Sequence, residues 1–398
     1  MSTKTRILKA KTKRAFEFIG AVMRTGAAYP LGRLIYGGKG IWLVGERPNQ
    51  AQDNGYHFFK YLRENHPERR VYYVIKKDSE HLDKVARLGE VLYYGTWKHW
   101  LMYFGCEAVI STHIRKVLPS EIWHYRELAA RFKQKNKTIV FLQHGVTQAD
   151  MPLMYRENAR VDLFICAAEP EYEYVRSNFH YNNDEVKYTG FARYDKLHEF
   201  KLKKQILIMP TWRRWLVKEG YDIEHSDYVR EWNKVLTDRR LIDAAEKAGY
   251  TILFYPHSEI QPWIDLFHSA DDTVVIARDT DYDVQTLLKE SALLITDHSS
   301  VFFDFAYMRK PMLYFQFDND DYYAKHYPKG YFDFERDGFG KVTYTAAELV
   351  DSLIESIENG VVLTEEYNKR IDRFFPLYDR NNCERIYNET VKICNRNA

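Results

Sequence analysis

Two series of short apolar runs, bounded by turn residues and separated by helix-length patterns, constrain this chain more than any other feature. The first series is GIWLVG (Gly40–Gly45), RVYYVI (Arg70–Ile75), EVLYY (Glu90–Tyr94), EAVIS (Glu107–Ser111), TIVFLQ (Thr138–Gln143), DLFICA (Asp162–Ala167) and VKYTG (Val186–Gly190). The second is QILIMP (Gln205–Pro210), TILFYP (Thr251–Pro256), TVVIA (Thr273–Ala277), ALLIT (Ala292–Thr296) and PMLYF (Pro311–Phe315). Between the runs lie helical patterns at Asn54–Asn65, Trp97–Phe104, Tyr228–Ala248, Asp283–Ser291 and Ser300–Met308. Strands alternating with helices predict parallel, doubly wound sheets, one for each series.

The polar, basic stretch YDKLHEFKLKKQ (Tyr194–Gln205) separates the series. We therefore expect an N-terminal segment at 1–36, a first Rossmann-type domain at 37–200 and a second at 201–398, with the helical pattern Thr364–Arg396 packing back across the joint. Two such α/β domains facing each other make a GT-B-like architecture. Ligands of open α/β sheets bind beyond the carboxyl ends of the strands, so the last residues of each run are where chemistry is expected.

Composition narrows the classes. With 58 basic and 56 acidic residues the chain lacks the basic excess of a nucleic-acid binder. Cys106, Cys166, Cys383 and Cys394 are scattered without a CxxC pair, which argues against a zinc site or disulfide framework and for a reducing compartment. No apolar run reaches bilayer-spanning length, and no signal-peptide pattern opens the chain. Instead Lys4, Arg6, Lys9, Lys11, Lys13, Arg14 and Arg24 interleave with Leu8, Ala15, Phe16, Ile19, Val22 and Met23. This spacing suits a basic amphipathic helix, lying either on an anionic membrane or on its own domain.

The strand ends carry the candidate chemistry. TIVFLQ ends in His144-Gly145, where glycine permits a tight turn and imidazole suits a general base near neutrality. An isolated His-Gly reads first as a buried histidine bonded to a carbonyl. QILIMP leads into Thr211-Trp212-Arg213-Arg214, a possible bidentate phosphate clamp, and TILFYP into His257. ALLIT ends in Asp297-His298-Ser299-Ser300 just before a helical pattern. A serine N-cap accounts for that junction structurally. The same helix start is also an anion site, since its free N–H groups face the cleft. No glycine-rich phosphate loop is present.

Together FLQHG (Phe141–Gly145), YTGFARYD (Tyr188–Asp195), MPTWR (Met209–Arg213), YPH (Tyr255–His257) and DYDVQTLLKESALLITDHSSVFFDFAYMRKPMLYF (Asp281–Phe315) resemble the CDP-glycerol glycerophosphotransferase family of teichoic-acid enzymes. GIWLVGERPNQAQDNGYHFFKYL (Gly40–Leu62) looks like that family's opening, so the resemblance spans about residues 40–375. It implies a GT-B fold and transfer of glycerol phosphate from CDP-glycerol to an acceptor hydroxyl, releasing CMP. Related expectations are a CDP-ribitol donor, a nucleotide-sugar glycosyltransferase, or a non-catalytic membrane-bound scaffold of envelope-polymer assembly. His144 would be the base. Thr211, Arg213, Asp283, Thr296, Ser299 and Ser300 would hold the donor together with His257, and Arg214 is added by adjacency. Arg47, Asp53, Asn54 and Gly145 would face the acceptor.

No cofactor is expected and no metal-ligating residues are assigned, with metal dependence left open by the sequence. The partners that the resemblance implies are a CDP-alditol, a lipid-linked glycan acceptor and the cytoplasmic membrane surface, where the protein would sit peripherally. Departures are His298 for the usual Tyr, Ala192 for the usual Pro and Ser291 for a common Asp. At 398 residues the chain lacks the large N-terminal region of the long polymerases, so addition of one or few units, or a capsule role, is expected.

Overall fold

The computed structural model describes residues 3–131 and 137–397, excepting the side chains of residues 3–13, 130 and 131. The first apolar series forms β1 (Trp42–Gly45), β2 (Val71–Ile75), β3 (Val91–Tyr93), β4 (Ala108–Ser111), β5 (Thr138–Phe141), β6 (Leu163–Cys166) and β7 (Val186–Tyr188). They pair in the order β3-β2-β1-β4-β5-β6-β7. The second sheet holds β8 (Gln205–Ile208), β9 (Thr251–Phe254), β10 (Val274–Ile276), β11 (Leu293–Thr296), β12 (Met312–Phe315) and β13 (Gly340–Thr343), in the order β10-β9-β8-β11-β12-β13. Every pairing is parallel, with registers such as Trp42 opposite Ala108 and Leu294 opposite Met312. These are the two Rossmann-like sheets of a GT-B-type fold. Helices cover both faces of each sheet, which is why β1, β4, β6, β11 and β12 are buried at every position and read as unbroken apolar runs.

Two local readings are corrected. The strand β13 escaped notice because GKVT carries little apolar signal. Its Gly340 is needed by packing, since a Cβ there would stand 1.9 Å from the Met312 carbonyl oxygen. The single helix expected over Tyr228–Ala248 is two helices, Asp227–Leu236 and Arg239–Ala248. Asp238 breaks them by capping the second, accepting from the backbone N–H groups of Arg240 and Leu241.

A helix at Thr3–Tyr36 precedes the first sheet. Ala21, Ala28 and Gly32 line its inner face, and a Cβ on Gly32 would lie 2.2 Å from the Leu101 carbonyl oxygen, so the helix Trp97–Gly105 crosses it almost backbone to backbone. Among the described residues no helix is long and apolar enough to cross a membrane. The expected basic positions Lys4, Arg6, Lys9, Lys11 and Lys13, with Leu8, fall where side chains are not described; Arg14 and Arg24 are exposed.

The sheets are joined by more than the linker. Helix Asn382–Asn397 returns to the first sheet, where the Asn382 and Cys383 N–H groups donate to Asp195 and Asn397 Nδ2 donates to Thr138 Oγ1. Arg193 bonds Asp53 at 2.9 Å on one side and both carboxylate oxygens of Asp304 at 2.7 Å on the other. Strand order reverses between β1 and β4 in the first sheet and between β8 and β11 in the second. The loops after these four strands, with that after β5, therefore border the crevice where ligands of such sheets bind.

Candidate active site

His144 is presented by a braced turn. Gln143 adopts a left-handed conformation, with φ of 56°, two residues past the end of β5. Its side chain donates to the Ile165 carbonyl and to Glu171, and accepts from the Thr147 hydroxyl. Fully buried Glu171 also accepts from the backbone N–H groups of Thr147 and Ala167. From the other side Asn54 Nδ2 donates to the Leu142 and Gln143 carbonyls. The tight turn expected of Gly145 is thus made by Gln143. Glycine at 145 serves close approach, because a Cβ there would meet Ser300 Oγ at 2.5 Å.

The His144 ring opens onto the cleft and stacks on His113, with centroids 4.6 Å apart and planes within 9°. His113 Nε2 accepts from Arg47 Nε at 3.3 Å, and its Nδ1 lies 2.9 Å from Thr112 Oγ1. Desolvation by the surrounding walls, reinforced by the Arg193 and Arg47 charges, lowers the His144 pKa to about 4. Desolvation and the neighbouring His144, Arg47 and Lys116 push His113 well below its ordinary value too. Both rings are therefore neutral near pH 7, and His144 has the protonation state of a proton acceptor.

On the facing sheet the expected phosphate clamp divides. Arg213 has no exposed surface: Nε and Nη2 donate to Asp318 at 2.7 Å, and Nη1 donates to the Thr211 carbonyl and forms an ion pair with Asp297, each at 2.8 Å. With its donors engaged by two carboxylates it holds the loop and does not reach a ligand. Thr296 is corrected likewise, since its buried hydroxyl donates to the Met209 carbonyl. The Thr211 N–H donates to Asp297, and Asp297 also accepts from the His298 N–H, so this carboxylate shapes both strand-end turns. Arg214 is exposed, its guanidinium over Tyr327 at 5.3 Å.

His257 stacks against Trp212 at 6.0 Å. Its Nδ1 accepts from the Glu259 N–H at 3.2 Å, which assigns the ring proton to Nε2 as a donor. Burial lowers its pKa, and Arg47 adds to that.

Ser300 does not cap its helix. Its backbone already has helical angles, φ −65° and ψ −6°, and its side chain makes no cap bond to Val301–Tyr307. The Ser299 and Ser300 side chains are half-buried, and neither hydroxyl makes a hydrogen bond among the described residues. Asp283 caps helix Val284–Glu290, where its Oδ1 accepts from both the N–H and the hydroxyl of Thr286.

On the acceptor side Arg47 is exposed and Gly145 lies against Ser300. Asn54 is fully buried and binds three backbone groups, the third being the Arg193 N–H. Asp53 pairs with Arg193. Both position the His144 turn and the domain joint. Sequence reading missed His113. The signal was present, because EAVIS is a strand and His113 stands just past its end.

A family model described as CDP-glycerol:poly(glycerophosphate) glycerophosphotransferase matches residues 33–392. The minor teichoic acid biosynthesis protein GgaB of Bacillus subtilis is 34% identical over 383 residues, covering 91% of this chain and 41% of that protein. The teichoic acid poly(glycerol phosphate) polymerase of B. subtilis is 24% identical, covering 84% of this chain and 46% of its own length. This chain thus spans less than half of those two relatives. The teichoic acid glycerol-phosphate transferase of Staphylococcus aureus is 23% identical and is covered over 89% of its length. Among solved structures, the wall teichoic acid polymerase TagF superposes with a TM-score of 0.68 at 19% identity, covering 97% of this chain and 98% of that one. A UDP-GlcNAc 2-epimerase from Neisseria meningitidis gives 0.51 at 15% identity, covering 88% of this chain and 99% of that one. These two likenesses speak to fold alone.

Proposed function

This chain belongs to the CDP-glycerol:poly(glycerophosphate) glycerophosphotransferase family, and from that premise we propose that it transfers glycerol phosphate from CDP-glycerol to a hydroxyl of a teichoic-acid or capsule-type glycan, releasing CMP. The observation that carries this reading is the meeting of the His144 turn with the Ser299-Ser300 turn, marked by the contact of Gly145 with Ser300. A proton acceptor and two unpartnered hydroxyls face one gap from opposite sheets.

In this reading neutral His144 takes the proton of the acceptor hydroxyl. The oxygen forms a bond to the phosphorus that carries glycerol, and the bond from that phosphorus to CMP breaks, with CMP leaving on the electron pair. Ser299, Ser300, His257 Nε2–H and Arg214 donate to the diphosphate, where charge develops on the leaving group. Arg47 lowers the pKa of His113, His144 and His257 alike, so its charge acts across the gap between the two sheets.

The acceptor is proposed to be lipid-linked and the protein to lie on the cytoplasmic face of the membrane. Support comes from helix Thr3–Tyr36, whose outer face presents Phe16 and Met23, each 71% exposed, and Leu34, 81% exposed, to solvent. These side chains do not pack on their own domain, and exposed apolar side chains gathered on one helix face mark a membrane or protein contact. Release of CMP from CDP-glycerol and CDP-ribitol, and of the nucleoside diphosphate from nucleotide sugars, is to be measured in the presence of lipid-linked glycans. CMP formed from CDP-glycerol only when acceptor is added supports the reading; release from nucleotide sugars alone refutes it.

A further inference from the structure

Beside His144 lies a second feature that the donor reading does not use. A cavity of about 540 Å³ opens from the His113 and His144 pair along Trp123, Met151 and Leu153. Trp123 and Leu153 stand 58% and 67% exposed at its rim. Of the cations that border it or face its inner end, Arg126, Arg47 and Lys116 pair with no carboxylate among the described residues, while Arg115, Arg160, Glu127 and Glu157 also line it. Arg126, 5% exposed, donates only to the neutral Ser120 carbonyl and Tyr94 hydroxyl. Arg47 donates only to His113. Lys116 has its pKa lowered by burial and by Arg126 and Arg47, and the Glu121 beside it is paired with Lys76 at 2.9 Å. Glu127, also at the cavity, is paired with Arg115. Like charges gathered in a partly buried place are unfavourable alone and favourable around an anion.

We propose that this cavity is the acceptor subsite, with a phosphoryl group of the acceptor between Lys116, Arg126 and Arg47, a sugar or alditol segment against Trp123, and the nucleophilic hydroxyl at His144. The assignment rests on the transferase reading for the last point only. The phosphoryl group has two sources, a phosphodiester of alditol phosphate units already attached or the phosphate that joins a glycan to its lipid.

The test measures binding and turnover separately. Calorimetry with a soluble glycerol-phosphate trimer and with a short-chain lipid diphosphate disaccharide identifies the source by which one binds. Lys116→Gln weakens that binding by about tenfold, Lys116→Arg restores it, and Trp123→Ala weakens it as well. The same Lys116→Gln variant keeps the wild-type KM for CDP-glycerol and its wild-type response to a dephosphorylated, neutral acceptor. Equal affinity of wild type and Lys116→Gln for the phosphorylated ligand, equal loss on the neutral one, or no binding of either ligand to wild type overturns the subsite. Lys116-dependent binding without CMP release from CDP-glycerol leaves the subsite standing and overturns the transferase reading.

Discussion

Gly145 and Ser300 touch across the two sheets: a Cβ on Gly145 would lie 2.5 Å from Ser300 Oγ and 3.1 Å from Ser300 Cβ. Only glycine lets the β5 and β11 turns close this far. Gly145→Ala therefore displaces a hydroxyl proposed to hold the donor while leaving both cores intact. Its melting temperature is expected within about 4 °C of wild type, a change under ~1 kcal/mol. The expected kinetic effect is a roughly tenfold lower kcat/KM for CDP-glycerol, or about 1.4 kcal/mol of transition-state stabilisation. Wild-type kinetics would remove this contact from the site.

His144→Ala is expected to lower kcat by about 10²–10⁴, with CDP-glycerol affinity unchanged by calorimetry. The pH profile carries the sign of its environment. A base whose pKa is lowered to about 4 stays unprotonated through the ordinary histidine range. The acid limb of kcat/KM should thus fall below pH 6 and approach 4. A limb at or above the ordinary histidine value would assign the base to another group.

Arg193 is nearly buried between Asp53 and Asp304. Arg193→Met leaves two carboxylates without their cation and should cost about 3–5 kcal/mol in urea unfolding. Adding Asp304→Leu to that variant should recover part of the loss. A single variant as stable as wild type would mean that the triad does not hold the joint.

His298 is 2% exposed, stacked on Tyr322 at 3.7 Å, and neither ring nitrogen has a partner. Burial and the Arg213 charge hold its pKa well below the ordinary value. On acidification through that ordinary value the unfolded chain binds a proton that the folded one refuses, so stability is lost as pH falls, at about 1.4 kcal/mol per pH unit for one such group. His298→Phe keeps the stacking and removes the orphaned nitrogens. It should be more stable than wild type by roughly 1 kcal/mol at pH 7, and the gap should widen toward pH 5. Urea titrations at both pH values decide this; parallel losses would exclude His298 as the titrating group.

Replacing Phe16, Met23 and Leu34 by Ser should leave the melting temperature unchanged, since all three are exposed. Co-sedimentation with anionic vesicles should drop by more than about tenfold. Binding equal to wild type would place the membrane contact elsewhere.

Among the described residues, twelve of the thirteen strands were legible because buried parallel strands leave continuous apolar runs, and helix Asn54–Asn65 was legible to the residue. Where the pattern weakened, the reading failed. GKVT is an edge strand with an exposed Lys341, and the residues between Tyr228 and Ala248 keep a helical period across the Asp238 break. At the site, strand-end position identified the loops that border the crevice and passed over His113, which needed only the same rule.

The sequence by itself determined what is local: which segments are strands, which helices follow them, and which polar residues stand at strand ends. Tertiary structure decided which of those residues reach the cleft. Arg213 and Arg214 are neighbours in the chain, yet one is enclosed by Asp297 and Asp318 and the other lies in solvent. Asp53 and Asn54 read as ligand-facing, but Arg193 and the His144 turn engage them. An ionised or amide side chain goes to whichever partner removes its desolvation cost. That partner arrives from another loop, at a distance along the chain that no local pattern records.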